Sequence, residues 1–180
     1  PAPGERAPGA PALRGSPGLP LRYFISGVML GSNRTLKDSS SDLVSQDYRA
    51  RIAQAIRQTD PSAVVVEPLD TVNARAAAAG MTLGELSQHD EMVRESFGEV
   101  VEQACQCDVI ISNLPEASMG SAVELWEARK AGALILTVSP MKDNWTIRSV
   151  THHNFADLDD LERNMHKHIP HRASADQQPP

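Results

Sequence analysis

The sequence predicts a doubly wound α/β domain, a single parallel sheet of about five strands with helices on both faces. Two observations carry that expectation. Short β-branched runs alternate along the chain with longer segments of helical period. Setting aside residues 1–20 and 171–180 leaves about 150 residues, the size of one ordinary domain, with no internal repeat. The first twenty residues hold six of the thirteen prolines and four of the eleven glycines, a composition that buries too little apolar surface to fold. The last ten read the same way.

Four strands can be placed. Arg22–Val28 is the first, and Tyr48, Ile52, Ala55 and Ile56 then share one face of a helix from about Ser45 to Gln58, closed by Pro61. Ala63–Glu67 follows as strand two and completes a βαβ unit. The Ala-rich, polar stretch Asp70–Gln88 reads as an insertion with a helical turn or two. A helix over Asp90–Gln106 comes next, with Val93, Phe97, Val100, Val101 and Ala104 inward. Asp108–Leu114 is strand three, Ser121–Ala131 a helix stopped by Gly132, and Ala133–Ser139 strand four. A last helix, Leu158–Ile169, packs through Leu158, Leu161 and Met165. In such flavodoxin- or Rossmann-like sheets ligands collect at the carboxyl ends of the strands, so function is expected in the loops after Val28, Leu114 and Ser139.

Composition narrows the partners. Of 180 residues, 17 are Lys or Arg and 23 Asp or Glu, a formal charge of -6 with no long basic run, so neither a polynucleotide nor an anionic membrane is expected. No uninterrupted apolar stretch exceeds that of Ala133-Leu134-Ile135-Leu136, far short of the roughly 20 residues that span a bilayer. No charged-then-apolar leader is seen, and Cys105 and Cys107 lie too close for an ordinary disulfide framework, so a cytoplasmic protein is expected. Both thiols read as small packing groups at a helix end and a buried strand.

The loop after strand three, Leu114-Pro115-Glu116-Ala117-Ser118-Met119-Gly120-Ser121, runs into a helix and offers free backbone N–H groups at a positive dipole end, suited to phosphate. Ser118 and Ser121 can add hydroxyls. Glu124 shares a helix face with Ala128 and Ala131, residues small enough to let that face lie against the sheet. Spacing leaves two readings open: an inward carboxylate, or a first-turn acid complementing the dipole. Gly27-Val28-Met29-Leu30-Gly31-Ser32 is a strand-end turn that can admit a ligand close to backbone. It is neither a Walker loop nor a dinucleotide fingerprint, and no cofactor is expected. His89-Asp90 reads as a helix start, and His152, His153, His166, His168 and His171 lack the spacing of a metal set, so no metal is expected. Trp145 follows strand four and suits capping of the core, base stacking or a subunit contact.

Tyr23-Phe24-Ile25-Ser26-Gly27, Asp108-Val109-Ile110-Ile111 and Ser118-Met119-Gly120 leading to Glu124-Leu125 together resemble the nucleoside 2-deoxyribosyltransferase superfamily. The resemblance runs from Tyr23 to the last helix and is nearest to the N-glycosidases of nucleoside 5'-monophosphates, because Ser118 stands where the transferases acting on free nucleosides usually carry aspartate. It implies Glu124 as the nucleophile, Tyr23 as the group that hydrogen-bonds and orients it, and Ser118, Gly120, Gly27 and Ser26 as substrate-binding residues. A nucleotide or nucleoside ligand and a homodimer or larger homo-oligomer are also implied. The superfamily's usual second carboxylate falls at Val100, with Glu95 and Glu99 the nearest acids; these also read, with Glu91, as a solvated stripe. Met29 stands where related deoxynucleotide hydrolases carry arginine, leaving base and sugar preference open. Transfer on free nucleosides and non-catalytic nucleotide binding are the alternative functions.

Overall fold

The computed structural model describes residues 19–29 and 45–170. Five parallel strands form one sheet: β1 Arg22–Gly27, β2 Val64–Val66, β3 Val109–Asn113, β4 Leu134–Val138 and β5 His153–Phe155, in the spatial order β2-β1-β3-β4-β5. The helices are α1 Asp47–Thr59, α2 Pro68–Ala78, α3 Leu83–Leu86, α4 Asp90–Cys105, α5 Met119–Lys130, α6 Trp145–Val150 and α7 Leu158–Asn164, the last running into a 3-10 turn, Met165–Lys167. The predicted α/β class is the observed one. The expected tails lie outside the described residues apart from Leu19 and Pro20, and so do residues 30–32 of the strand-end turn. No helix among the described residues is long and apolar enough to cross a membrane.

Side chains alternate across the sheet and build two cores. Tyr23, Ile25, Val109, Ile111 and Leu136 pack against Ile52 and Ile56 of α1 and Leu161 of α7. On the opposite face Phe24, Ile110 and Ile135 meet Val100 and Ala104 of α4, Leu125 and Ala128 of α5, and Ile147 of α6. Both edge strands are three residues long, which leaves little unpaired backbone to template aggregation. Gly132 ends α5 as the spacing predicts: at φ +87° it takes the left-handed conformation, and the Gly132 and Ala133 N–H groups return to the carbonyls of Arg129 and Ala128.

The structure corrects several expectations. The stretch read as an insertion with a turn or two of helix holds the eleven-residue α2, with Pro68 in its first turn, and the short α3 with a Thr82–Glu85 capping box. β5 has no apolar run to announce it. It forms because the edge of β4 offers partners: His152 N–H donates to Ile135, and Asn154 bonds both the Thr137 hydroxyl and the Ser139 carbonyl. Of the α4 face read as inward, Val100 and Ala104 are buried, whereas Val93 and Phe97 are about 40% exposed. Trp145 does not cap the core; it opens α6 and is 84% exposed.

Gly27 closes β1 where three elements converge. A Cβ placed there would lie 2.5 Å from the Tyr48 hydroxyl and 2.8 Å from the carbonyl oxygen of Asn113, its register partner on β3. That oxygen belongs to a paired strand and cannot swing aside. Gly27→Ala is therefore expected to cost about 1–3 kcal/mol of stability, read as a lower denaturant midpoint at unchanged m-value; an unchanged midpoint would contradict this packing.

Candidate functional site

Ser26 on β1 and Glu124 on α5 meet at the carboxyl edge of the sheet, beside the point where the chain order reverses between β1 and β3. Ser118 is the N-cap of α5, its hydroxyl oxygen accepting from Ser121 N–H at 3.3 Å, so the helix begins two residues earlier than the sequence suggests. That places Glu124 in the second turn, which removes the reading as a first-turn acid on the dipole. The residue is 8% exposed, and Oε2 accepts from the Ser26 hydroxyl at 2.6 Å. Burial pushes the Glu124 carboxyl above the ordinary carboxylate range, opposed by the Ser26 hydrogen bond and by the Arg49 guanidinium.

Glu124, Ser118, Gly120, Ser121 and Gly27 line one side of a cleft of about 480 Å³. The other side is largely apolar. Val93, Phe97 and Val100 of α4 come from one direction, and Val72, Leu83 and Leu86 from α2 and α3. The half-exposed Val93 and Phe97 are thus cleft wall, which is why the core does not cover them. A carboxylate at the floor, helix N–H groups at one end and apolar walls suit a ligand with an anionic group, a polar centre and a flat apolar part.

Four of the six residues singled out from sequence line this cleft, and Ser26 joins them through Glu124. Tyr23 does not. It projects from the opposite face of β1 into the core under α1, and its hydroxyl makes a long, 3.5 Å hydrogen bond to Asp60. Glu124 is held by Ser26 instead. Glu95 and Glu99 do not enter the cleft either, because Arg75 of α2 draws both outward, at 2.7 Å each. Among the described residues Glu124 is the only acid that lines it.

Arg49 is the site residue that sequence reasoning missed. It is buried, and its guanidinium donates to the carbonyl of Ile25 and to Gln46 at 2.7 Å, with Glu67 at 3.2 Å. A cation on the apolar face of α1, three residues before Ile52, was the available signal. Beside it, burial pushes the Tyr48 phenol up to about 12. The histidines serve elsewhere: Nδ1 of His152 accepts from Ile135 N–H at 2.8 Å, and burial together with Arg129 pushes it down to about 4. His153 stacks on His168 with ring centres 3.6 Å apart.

Fold and site together define a class, a doubly wound α/β protein with a buried carboxylate in a cleft at the switch point of its sheet. No family model matches the sequence, and no curated protein matches it. Solved structures share the fold. The 2-deoxyribosyltransferase of the psychrotolerant bacterium Bacillus psychrosaccharolyticus, a biocatalyst for nucleoside synthesis, superposes with a TM-score of 0.53 at 15% identity, over 78% of this chain and 90% of that one. A conserved protein from Enterococcus faecalis V583 gives the same TM-score at 14% identity, over 83% and 99%.

The buried carboxylate leads to a stability test. A carboxyl whose pKa is raised by folding binds its proton more tightly in the native state, so ionising it costs stability above that pKa, and the cost fades as the pH falls through it. Glu124→Gln should raise the thermal midpoint at neutral pH, with the gain shrinking on acidification. A midpoint at pH 7 below that of the parent protein would overturn the reading.

Proposed function

We propose that this protein cleaves the N-glycosidic bond of a nucleoside 5'-monophosphate, releasing the base and a sugar phosphate, with Glu124 as the nucleophile. One observation carries the reading: a buried carboxylate, among the described residues the only acid lining the cleft, held by Ser26 in a cleft that also takes in the capped N-terminus of α5. The solved 2-deoxyribosyltransferase with the same fold supports chemistry at a nucleoside's anomeric carbon.

In this mechanism the phosphate lies at the first turn of α5, against the N–H groups near Gly120 and the Ser118 hydroxyl, whose proton remains free to donate while its oxygen caps the helix. The backbone at Gly27 lets the sugar approach the end of β1. Glu124 attacks the anomeric carbon as the C–N bond breaks, its electron pair leaving with the base nitrogen. The developing oxocarbenium charge is stabilised by the carboxylate, and water then hydrolyses the glycosyl ester. The Ser26 hydrogen bond favours the ionised form of Glu124 against the effect of burial and aims its carboxylate. The leaving base nitrogen is protonated as the bond breaks, and among the described residues no second acid lines the cleft to supply that proton.

The test is chromatography of base release from a panel of ribo- and deoxyribonucleoside monophosphates and free nucleosides. Glu124→Gln should lower the rate by more than about 10²-fold. Ser118→Asp retains a good N-cap and so preserves α5, but sets a carboxylate against the phosphate. It should depress monophosphate cleavage far more than any action on nucleosides. Preferred transfer of sugar to an added base would favour the transferase reading, to which the solved structure lends weight, and nucleotide binding without product would leave a binding module.

Assembly with a second copy is part of the same proposal. Met119, Val123 and Trp126 form an exposed apolar strip on α5 at helical spacing, beside the cleft. Trp126→Glu should halve the mass seen by light scattering; a parent protein that is already monomeric rejects this element of the proposal.

A further inference from the structure

Ser96 stands in the middle of α4, 4% exposed, among the residues that line the cleft, and its hydroxyl has no hydrogen-bond partner among the described residues. A serine within a helix ordinarily satisfies its hydroxyl by bonding back to the carbonyl one turn earlier, and this one does not. Alanine would fill the same space without leaving a buried polar group unpaired, so the fold alone gives no reason for the hydroxyl. Apolar side chains line the same cleft: Val93, Phe97 and Val100 on its own helix, and Val72 and Leu86 from α2 and α3. Such walls fit the two faces of a flat ring and leave one hydroxyl to meet its edge.

We propose that Ser96 reads the polar edge of the base. Closed to solvent as it stands, its hydroxyl reaches the cleft by rotation about the Cα–Cβ bond and then donates to a ring nitrogen or carbonyl oxygen, or accepts from an exocyclic amine, while the apolar side chains take the faces of the ring. This rests on the nucleotide reading above and extends it by assigning the two ends of the ligand: the base to the α4 wall, the phosphate to the first turn of α5. A site with a buried unpaired hydroxyl discriminates strongly, because a base lacking the matching group leaves it unsatisfied.

The experiment is calorimetric titration of Glu124→Gln protein, with and without Ser96→Ala, using a series of nucleoside 5'-monophosphates and, separately, ribose 5-phosphate and deoxyribose 5-phosphate. Ser96→Ala should weaken the best-bound monophosphate about tenfold, by a factor that differs from base to base, and leave the sugar phosphates unchanged. The unliganded double variant should unfold at the same temperature or higher, since an unsatisfied group has been removed. Unchanged monophosphate affinity overturns the assignment of Ser96 alone. An equal loss for the sugar phosphates, or a lower unfolding temperature, makes the hydroxyl structural and also overturns it. If no monophosphate binds with or without Ser96→Ala, the nucleotide reading fails and takes this inference with it.

Discussion

A carboxylate removed from water has to be compensated, and the burial of Glu124 sets the arrangement of the whole carboxyl edge of the sheet. Ser26 supplies the direct hydrogen bond, and Arg49 supplies charge through space. Arg49 is itself buried and therefore needs the Ile25 carbonyl, Gln46 and Glu67. Burial in turn pushes the Glu67 carboxyl above its ordinary range, with Arg49 opposing the shift. The compensation thus extends from α5 through the end of β1 to the residue that follows β2. The topology makes this possible: around β1 the chain sends α1 to one face and α5 to the other, so side chains from both layers converge where the strands end.

The same edge carries a polar row. Register pairs Ser26 with Ser112, Ser112 with Thr137, and Thr137 with Asn154, all on the face covered by α5 and α6. Two residues earlier the equivalent positions on β1, β3 and β4 are Phe24, Ile110 and Ile135, which belong to the core. Polarity along this face therefore changes within one repeat of the pleat. Thr137 is satisfied by Asn154, whereas the Ser112 hydroxyl, fully buried beside Ser26, has no partner among the described residues. Ser96 is the second serine of this kind near Glu124. Both hydroxyls are exceptions to the rule that buried polar groups are paired, one at the carboxyl end of the sheet and one on the helix above it.

Cleft and core also compete for the same helix. On α4 the residues toward the amino end of the sheet, Val100 and Ala104, are buried, while Val93 and Phe97, one and two turns earlier, are left as wall. The helical period puts all four on one stripe, and it cannot say where along the stripe the sheet stops covering it. α2 and α3 decide that, since Val72, Leu83 and Leu86 line the same cleft as Val93, Phe97 and Val100. Arg75 on α2 has a second effect, holding Glu95 and Glu99 away from the cleft.

Much of this protein is written in short-range pattern. Strand runs, the stop at Gly132 and the spacing from Ser118 to Glu124 all depend on neighbours within a few residues, and each is legible from the sequence. So, in principle, was the placement of Tyr23 away from Ser26: positions 23 and 26 differ by three, and in a strand an odd separation puts side chains on opposite faces. β5 and the extent of α2 were not legible, the first because it exists by pairing with β4, the second because a polar, Ala-rich segment has no strong apolar stripe. Only the tertiary structure could choose between the two readings of Glu124, since its partner Ser26 lies 98 residues away. Local sequence sets which backbone shape a segment prefers, but whether a charge is buried, and what compensates it, is decided by groups that only the folded chain brings together.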